Sequence, residues 1–335
     1  MSLSFRALVA DKTAGGFSLG VRRMGEADLP AGEVLLRVTH SSLNYKDALA
    51  CTPGGAVARK YPLVPGIDLA GLVLASTDPR FAPGDRVIAT SYELGVSHFG
   101  GFAELARVRA DWVLPLPAGM SLREAMVIGT AGLTAALALM QLQHNGLTPD
   151  KGRVLITGAT GGVGSLAVDL LAGLGYSVAA STGKGAEAEY LKALGASEIL
   201  TRAEASAASP RPLERERWAA VIDSVGGDTL AYALRTTRAG GAIAVCGLAG
   251  GADVATTVFP FILRGVNVLG IDSEKAAMAM RQRAWTQLGG AWKPRHLADI
   301  GFDITLDDVP TFAARILAGG VRGRAVVVHA AEAAA

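Results

Sequence analysis

The chain has little that would staple, anchor or metallate it. Only two cysteines occur in 335 residues, Cys51 and Cys246, far apart in sequence. A disulfide framework is therefore not expected, and a reducing compartment, the cytoplasm, is the default. Charge is sparse and balanced: Lys and Arg number 32, Asp and Glu 30. With no long basic run, nothing points to nucleic acid. The N-terminal stretch lacks a basic region followed by a long apolar core, so it does not read as a signal peptide; it resembles a first β-strand. The residues from Ala330 onward read as a frayed tail.

One charge-free stretch, Ala125 to Pro149, is long enough to cross a bilayer. It is interrupted by Gly129, Thr130, Gly132, Thr134, Gln141, Gln143, His144 and Asn145, and its apolar part is mostly alanine. The expectation is a buried helix and no membrane.

Half of the residues are hydrophobic, and the length suits two domains. Residues 33–40 alternate as a half-buried strand. Residues 71–75 and 86–90 are further short apolar runs, parted by turns such as Val64-Pro65-Gly66 and Pro83-Gly84-Asp85. Such spacing suggests a small barrel-like domain. Beyond residue 121 strand and helix patterns alternate: strands at 154–157, 178–180, 219–223 and 242–246, helices at 163–174, 186–194 and from 229. Strict alternation predicts a parallel sheet covered by helices on both faces, an α/β fold. Residues 323–329 read as a final strand that returns to the first domain. The expected domains are 1–122, 123–265, and a segment 266–335 that completes the sheet and returns.

The chemistry begins at Gly158-Ala-Thr-Gly161-Gly162-Val-Gly164. A strand precedes it, a helix follows, and a second strand comes about twenty residues on. Glycines clear side chains from the turn, and the helix points free N–H groups and its positive end there, so a pyrophosphate is the natural occupant. At the end of the second strand, where NAD binders usually carry Asp or Glu, stands Ser181-Thr182-Gly183-Lys184. Hydroxyls and a cation suit a phosphate dianion, and Arg202 adds a second cation. The expected cofactor is NADPH; the alternative leaves Lys184 solvated and Glu187 on the ribose.

Metal ligands are the other absence. Catalytic zinc needs about three protein ligands, and structural zinc about four clustered cysteines. Where zinc alcohol dehydrogenases carry His-Glu after a glycine, this chain has Gly66-Ile67-Asp68, and His40 and His98 have no third partner. Without a Lewis acid, a conjugated carbonyl suits hydride chemistry better than a simple alcohol, because its own enolate accepts the charge.

Several stretches together resemble the zinc-free, quinone oxidoreductase-like medium-chain reductases, and within them the bacterial acrylyl-CoA reductases. They are Ser41-Ser-Leu-Asn-Tyr-Lys-Asp-Ala-Leu49, Val64-Pro-Gly-Ile-Asp-Leu-Ala-Gly71, Gly129-Thr-Ala-Gly-Leu-Thr-Ala135, the glycine turn, Cys246-Gly-Leu-Ala-Gly-Gly251, Pro260-Phe-Ile-Leu-Arg-Gly265 and Gly270-Ile-Asp-Ser273. The likeness runs over nearly the whole chain and departs at 90–101. There Thr90-Ser-Tyr-Glu-Leu-Gly-Val-Ser-His98-Phe-Gly-Gly101 replaces a Gly-Trp segment followed by His-Trp-Gly-Gly. Lys184 also stands where such proteins often show arginine.

The resemblance implies a GroES-like substrate domain, a Rossmann domain, a cleft between them, and a homodimer. It implies reduction of the C=C bond of a 2-enoyl thioester, acrylyl-CoA to propionyl-CoA, by NADPH. Tyr45 would meet the nicotinamide, with Asn44 beside it as the second catalytic candidate. Thr160, Gly161, Gly162 and Val163 would hold the pyrophosphate, and Thr182, Gly183, Lys184 and Arg202 the 2′-phosphate. Leu248, Ile262 and Ser273 would line the nicotinamide side, with Arg324 a further contact. Tyr61 is a rival proton donor, and Arg59 and Lys60 could meet coenzyme A phosphates. Lys46 and Asp47 are expected to pair at a helix start, and His98 to be a structural hydrogen-bonder. A quinone or enone reductase, or a non-catalytic NADPH-binding protein, are the alternative functions.

Overall fold

The computed structural model describes residues 3–329; the tail expected to fray lies outside them. The chain divides into two compact units. The first comprises residues 3–130, 274–289 and 297–329, and the second residues 131–273 and 290–296.

The first unit opens with an antiparallel hairpin, β1 (Ser4–Thr13) and β2 (Gly16–Gly25). Then come β3 (Val34–Ser42), α1 (Tyr45–Ala50), β4 (Asp68–Ser76), β5 (Arg86–Thr90), β6 (Leu105–Val108) and β7 (Val113–Pro115). The strand read at 33–40 is β3, whose Val34, Leu36 and Val38 join one core and whose Leu35 joins another; it pairs antiparallel with both β4 and β6. α2 (Leu122–His144) follows. It is the charge-free stretch, and 83% of its most apolar window is buried. Gly129, at φ 47° and ψ −155°, interrupts it. The units part at Thr130, and Ala125, Met126, Val127 and Ile128 before that point are fully buried.

The second unit holds β8 (Val154–Ile156), α3 (Gly162–Gly173), β9 (Val178–Thr182), α4 (Ala188–Ala193), β10 (Ala196–Thr201), β11 (Trp218–Asp223), α5 (Gly227–Thr236), β12 (Thr237–Val245), α6 (Phe259–Arg264) and β13 (Asn267–Gly270). All six strands are parallel, in the order β10-β9-β8-β11-β12-β13. This is a doubly wound sheet whose order reverses between β8 and β11, the place where such sheets bind ligands. Leu155, Ala179, Val221 and Ile243 from four strands pack with Leu230, Ala233 and Leu234 of α5 in one core.

The segment beyond 265 is shared between the units. β13 completes the parallel sheet. α7 (Met278–Gly289), α8 (Leu297–Ile300), β14 (Gly301–Ile304), α9 (Val309–Leu317) and β15 (Arg324–Val328) belong to the first unit. β15 pairs antiparallel with β3, and β14 parallel with β15, giving a seven-stranded sheet in the order β14-β15-β3-β4-β5-β7 with β6 beside β3. Val309 and Ala313 of α9 join Phe5, Leu8, Leu43, Phe102 and Val327 in its core.

The return strip 290–296 is tied down by one buried carboxyl. Asp169 of α3 accepts from the His296 backbone N–H at 2.9 Å and from its Nδ1 at 2.8 Å. Asp169 is 1% exposed, so removing it strands both donors. Asp169→Ala is expected to cost about 2–4 kcal/mol in urea unfolding. His296→Ala should cost less, because that ring is partly exposed; the reverse order would contradict the assignment.

Candidate active site

In the second unit the strand ends gather the expected cofactor residues. β8 runs into Thr157 and the turn 158–161, and α3 starts at Gly162 with no side-chain cap on its first N–H groups. A Cβ on Gly164 would sit 2.4 Å from the Gly158 carbonyl oxygen, so only glycine lets α3 lie this close to the turn. Across the switch point the Thr157 hydroxyl donates to buried Asp223 at 2.6 Å, and the Gly226 N–H donates to the same carboxyl at 2.8 Å. Burial pushes the Asp223 carboxyl upward. This lock between β8 and β11 has no motif of its own in the sequence.

Thr160 and Thr182 face each other, hydroxyl to hydroxyl at 3.2 Å, and the Thr182 hydroxyl also accepts the Lys184 N–H at 3.0 Å. Arg202 follows β10, its N–H donating to the Thr182 carbonyl at 2.8 Å. Its guanidinium lies over Gly183: a Cβ there would meet Nη2 at 2.7 Å. Thr160, Thr182, Gly183, Lys184 and Arg202 are thus one cluster at the carboxyl edge of the sheet. Leu248 and Ser273 follow β12 and β13 at the same edge. Leu248 is exposed, as is Ile262 on α6, while Ser273 accepts from the Thr134 hydroxyl at 2.8 Å. An uncapped helix start, a glycine cradle and two cations beside two hydroxyls fit a dinucleotide carrying an extra phosphate.

The first unit contains a buried charge cluster that the sequence reading largely missed. Asp68, at the head of β4, accepts from the Ser42 hydroxyl at 2.6 Å, Asn44 Nδ2 at 2.8 Å and the Thr130 N–H at 2.9 Å. It also accepts from the Thr130 hydroxyl and stands 3.5 Å from Arg324 Nη2. Arg324 is 3% exposed. Its guanidinium donates to Asn44 Oδ1 and the Ser42 hydroxyl, both at 2.8 Å, and to the Val127 carbonyl at 3.1 Å. Arg324 was expected at the cofactor; its donors are spent inside the first unit. Asn44, 8% exposed, directs its amide to Asp68, Asp47 and Arg324. Tyr45, the next residue, opens α1 and is 46% exposed.

The anticipated Lys46–Asp47 pair does not form. Lys46 pairs with Glu274. Asp47 turns inward and accepts from the Asn44 and Ile67 N–H groups at 2.8 Å, and from the Gly66 N–H and Asn44 Nδ2 at 3.1 Å. Adjacency misled here: on a helix start, neighbouring side chains diverge. Gly129 closes the cluster, since a Cβ there would lie 2.5 Å from Asp68 Oδ2 and 2.7 Å from Arg324 Nη2.

The histidines are elsewhere engaged. His98 Nε2 bonds the Arg107 carbonyl at 2.7 Å and its ring meets Trp112 edge-on, while His40 Nδ1 contacts the Thr39 hydroxyl. Burial lowers both pKa values. Tyr61 packs edge-on against Phe17, and Arg59 and Lys60 are exposed. Among the described residues no three His, Cys, Asp or Glu converge to hold a metal ion.

Burial, and then Asp68, push the Asp47 carboxyl up to about 7, against N–H donors that favour its ionised form. Folded protein thus binds this proton between pH 3.8 and about 7, where the unfolded chain has released it. The contribution to stability is present at low pH and is lost as pH rises through that window. The stability difference between wild type and Asp47→Asn should therefore shrink with rising pH, by up to about 1.4 kcal/mol per unit. Parallel stability curves from pH 4 to 7 would show that Asp47 titrates normally.

Comparison with known proteins agrees with this layout. A family model described as alcohol dehydrogenase GroES-like domain matches residues 30–118, and one described as zinc-binding dehydrogenase matches 162–288. The acrylyl-CoA reductase AcuI of Ruegeria pomeroyi is 50% identical over 325 residues, 96% of this chain and 98% of that protein. The YhdH oxidoreductase of Salmonella enterica, solved in complex with NADP, is 48% identical with TM-score 0.94, covering 97% of this chain and all of that one. The YhfP protein of Bacillus subtilis, solved with NAD bound, is also 48% identical, with TM-score 0.95, covering 98% of this chain and 100% of that one.

Proposed function

The chain belongs to the acrylyl-CoA reductase family of the medium-chain reductases, and from that premise we propose that it reduces the C=C bond of a 2-enoyl thioester with NADPH, acrylyl-CoA to propionyl-CoA. What carries this reading is 50% identity with an acrylyl-CoA reductase across 96% of the chain. Bound NADPH would supply a hydride to the β-carbon. The enolate that results takes a proton at the α-carbon, so one hydride and one proton are consumed per double bond.

Thr160, Gly161, Gly162 and Val163 would hold the pyrophosphate at the start of α3. Lys184 and Arg202, with the Thr182 hydroxyl beside them, would hold the 2′-phosphate. Leu248, Ile262 and Ser273 would offer the nicotinamide a mixed apolar and hydroxyl lining. Tyr45 of the first unit would act on the reacting groups as donor to the thioester oxygen where charge develops. Asn44 holds that tyrosine's turn in place. A second copy of the chain is the proposed partner, seated on the free edge of β13. Val268 there and Phe261 and Leu263 on α6 are exposed apolar side chains, and an unpaired edge of this kind calls for cover.

NADPH oxidation should be fastest with acrylyl-CoA, slower with crotonyl-CoA and slowest with a benzoquinone. No oxidation with any of the three would sink the enzyme reading, and a preference for quinone would replace the substrate. Arg202→Ala and Lys184→Ala should each weaken NADPH binding about tenfold and leave NADH unchanged, as titration would show. Equal losses for both nucleotides would contradict the 2′-phosphate assignment. Sedimentation should give a dimer, and Val268→Lys a monomer; a wild-type monomer rules the edge interface out.

A further inference from the structure

Residues 90–101 contain two consecutive non-glycine residues in the left-handed region: Ser91 at φ 62° and Tyr92 at φ 54°. L-residues rarely sit there, and two together persist only when their surroundings hold them. The surroundings do so. The Ser91 N–H donates to the Ile67 carbonyl at 2.6 Å, and the Tyr92 N–H to the Glu274 carbonyl at 3.3 Å. The Tyr92 ring stacks on Trp112, and the Arg281 guanidinium lies 4.1 Å from its centroid. Arg281, 1% exposed, further donates to the Thr90 carbonyl at 2.9 Å and to the Glu274 carbonyl at 2.8 Å.

The consequence is where the Ser91 hydroxyl goes. It lies 2.8 Å from the Thr130 hydroxyl, which itself donates to Asp68 Oδ1. Thr130 has one hydroxyl hydrogen, and Asp68 takes it; Ser91 must therefore be the donor to Thr130. The two hydroxyls form a one-way chain ending on the carboxyl that receives the Asn44 amide. Lys46 is meanwhile tied to Glu274, whose carbonyl receives Tyr92 and Arg281. Both neighbours of Tyr45 are thus anchored to one ring of contacts, running from Asn44 through Asp68, Thr130, Ser91, Tyr92 and Glu274 to Lys46.

We propose that Ser91 and Thr130 are positioning residues, a directional hydroxyl brace that fixes Asp68 and, through Asn44, the turn presenting Tyr45. This rests on the reading of Tyr45 as the residue that meets the reacting groups. Neither hydroxyl touches substrate in this account. Their effect reaches the reaction only through the 43–46 turn.

The test uses the full-length protein. Thr130→Val removes the hydroxyl and keeps both shape and the backbone N–H to Asp68, while Thr130→Ser restores the hydroxyl. Thr130→Val should lower kcat with acrylyl-CoA at least tenfold with NADPH affinity unchanged, and Thr130→Ser should recover it. Ser91→Ala should lower kcat less, and the double variant should be no worse than Thr130→Val alone. Amide hydrogen exchange across residues 43–50 should quicken in Thr130→Val and Ser91→Ala but not in Thr130→Ser. Unchanged exchange there, or additive losses in the double variant, overturns the brace. If Thr130→Val does not fold, Ser91→Ala decides alone by the same two readouts. Exchange needs no turnover, so a wild-type protein inert toward every enone would sink the enzyme reading and leave this test standing.

Discussion

Arg324 and Asp68 meet inside the first unit with almost no contact with solvent, and the geometry around the exposed Tyr45 depends on that encounter. Burying a guanidinium is tolerable only when every donor finds an acceptor. Here the acceptors come from four places in the chain: Ser42 at the end of β3, Asn44 before α1, Val127 in α2 and Asp68 in β4. The last strand supplies the arginine, so the chain's return from the second unit completes a site begun some 280 residues earlier. Asp47, which shares Asn44 with this pair, keeps its proton to higher pH, first through burial and then through the nearby Asp68 carboxylate.

The second unit solves a different problem by a different route. Its site is made of backbone and of the order of its strands. The glycine turn opens the approach, α3 offers its uncapped start, and the Thr157–Asp223 lock holds the two strands that diverge around it. At the strand ends Lys184 and Arg202 stand in one cluster with the Thr160 and Thr182 hydroxyls.

How legible each part was follows from how local its cause is. The parallel sheet was readable, because strand and helix periods alternate over short windows and the glycine turn sits between them. That Thr182, Gly183, Lys184 and Arg202 gather at one edge of the sheet was readable too, since the first three are contiguous and Arg202 follows the next strand. The buried cluster was not. Asp47 looked like a partner for Lys46 because sequence shows adjacency, whereas burial turned the two in opposite directions. Arg324 looked like a ligand contact because a Gly-Arg before a strand gives no hint of what packs against it. Ser91 and Tyr92 were visible only as a departure from a family pattern. Their left-handed backbone, the feature that gives the departure meaning, belongs to three dimensions.

The buried cluster acts as one coupled unit. A double-mutant cycle on unfolding free energies, with Asp68→Asn and Arg324→Met, tests it most directly. Either change alone strands buried polar groups and should be strongly destabilising, whereas making both removes the charges together. The expected coupling energy is about 2–3 kcal/mol. Additivity within about 0.5 kcal/mol would contradict it.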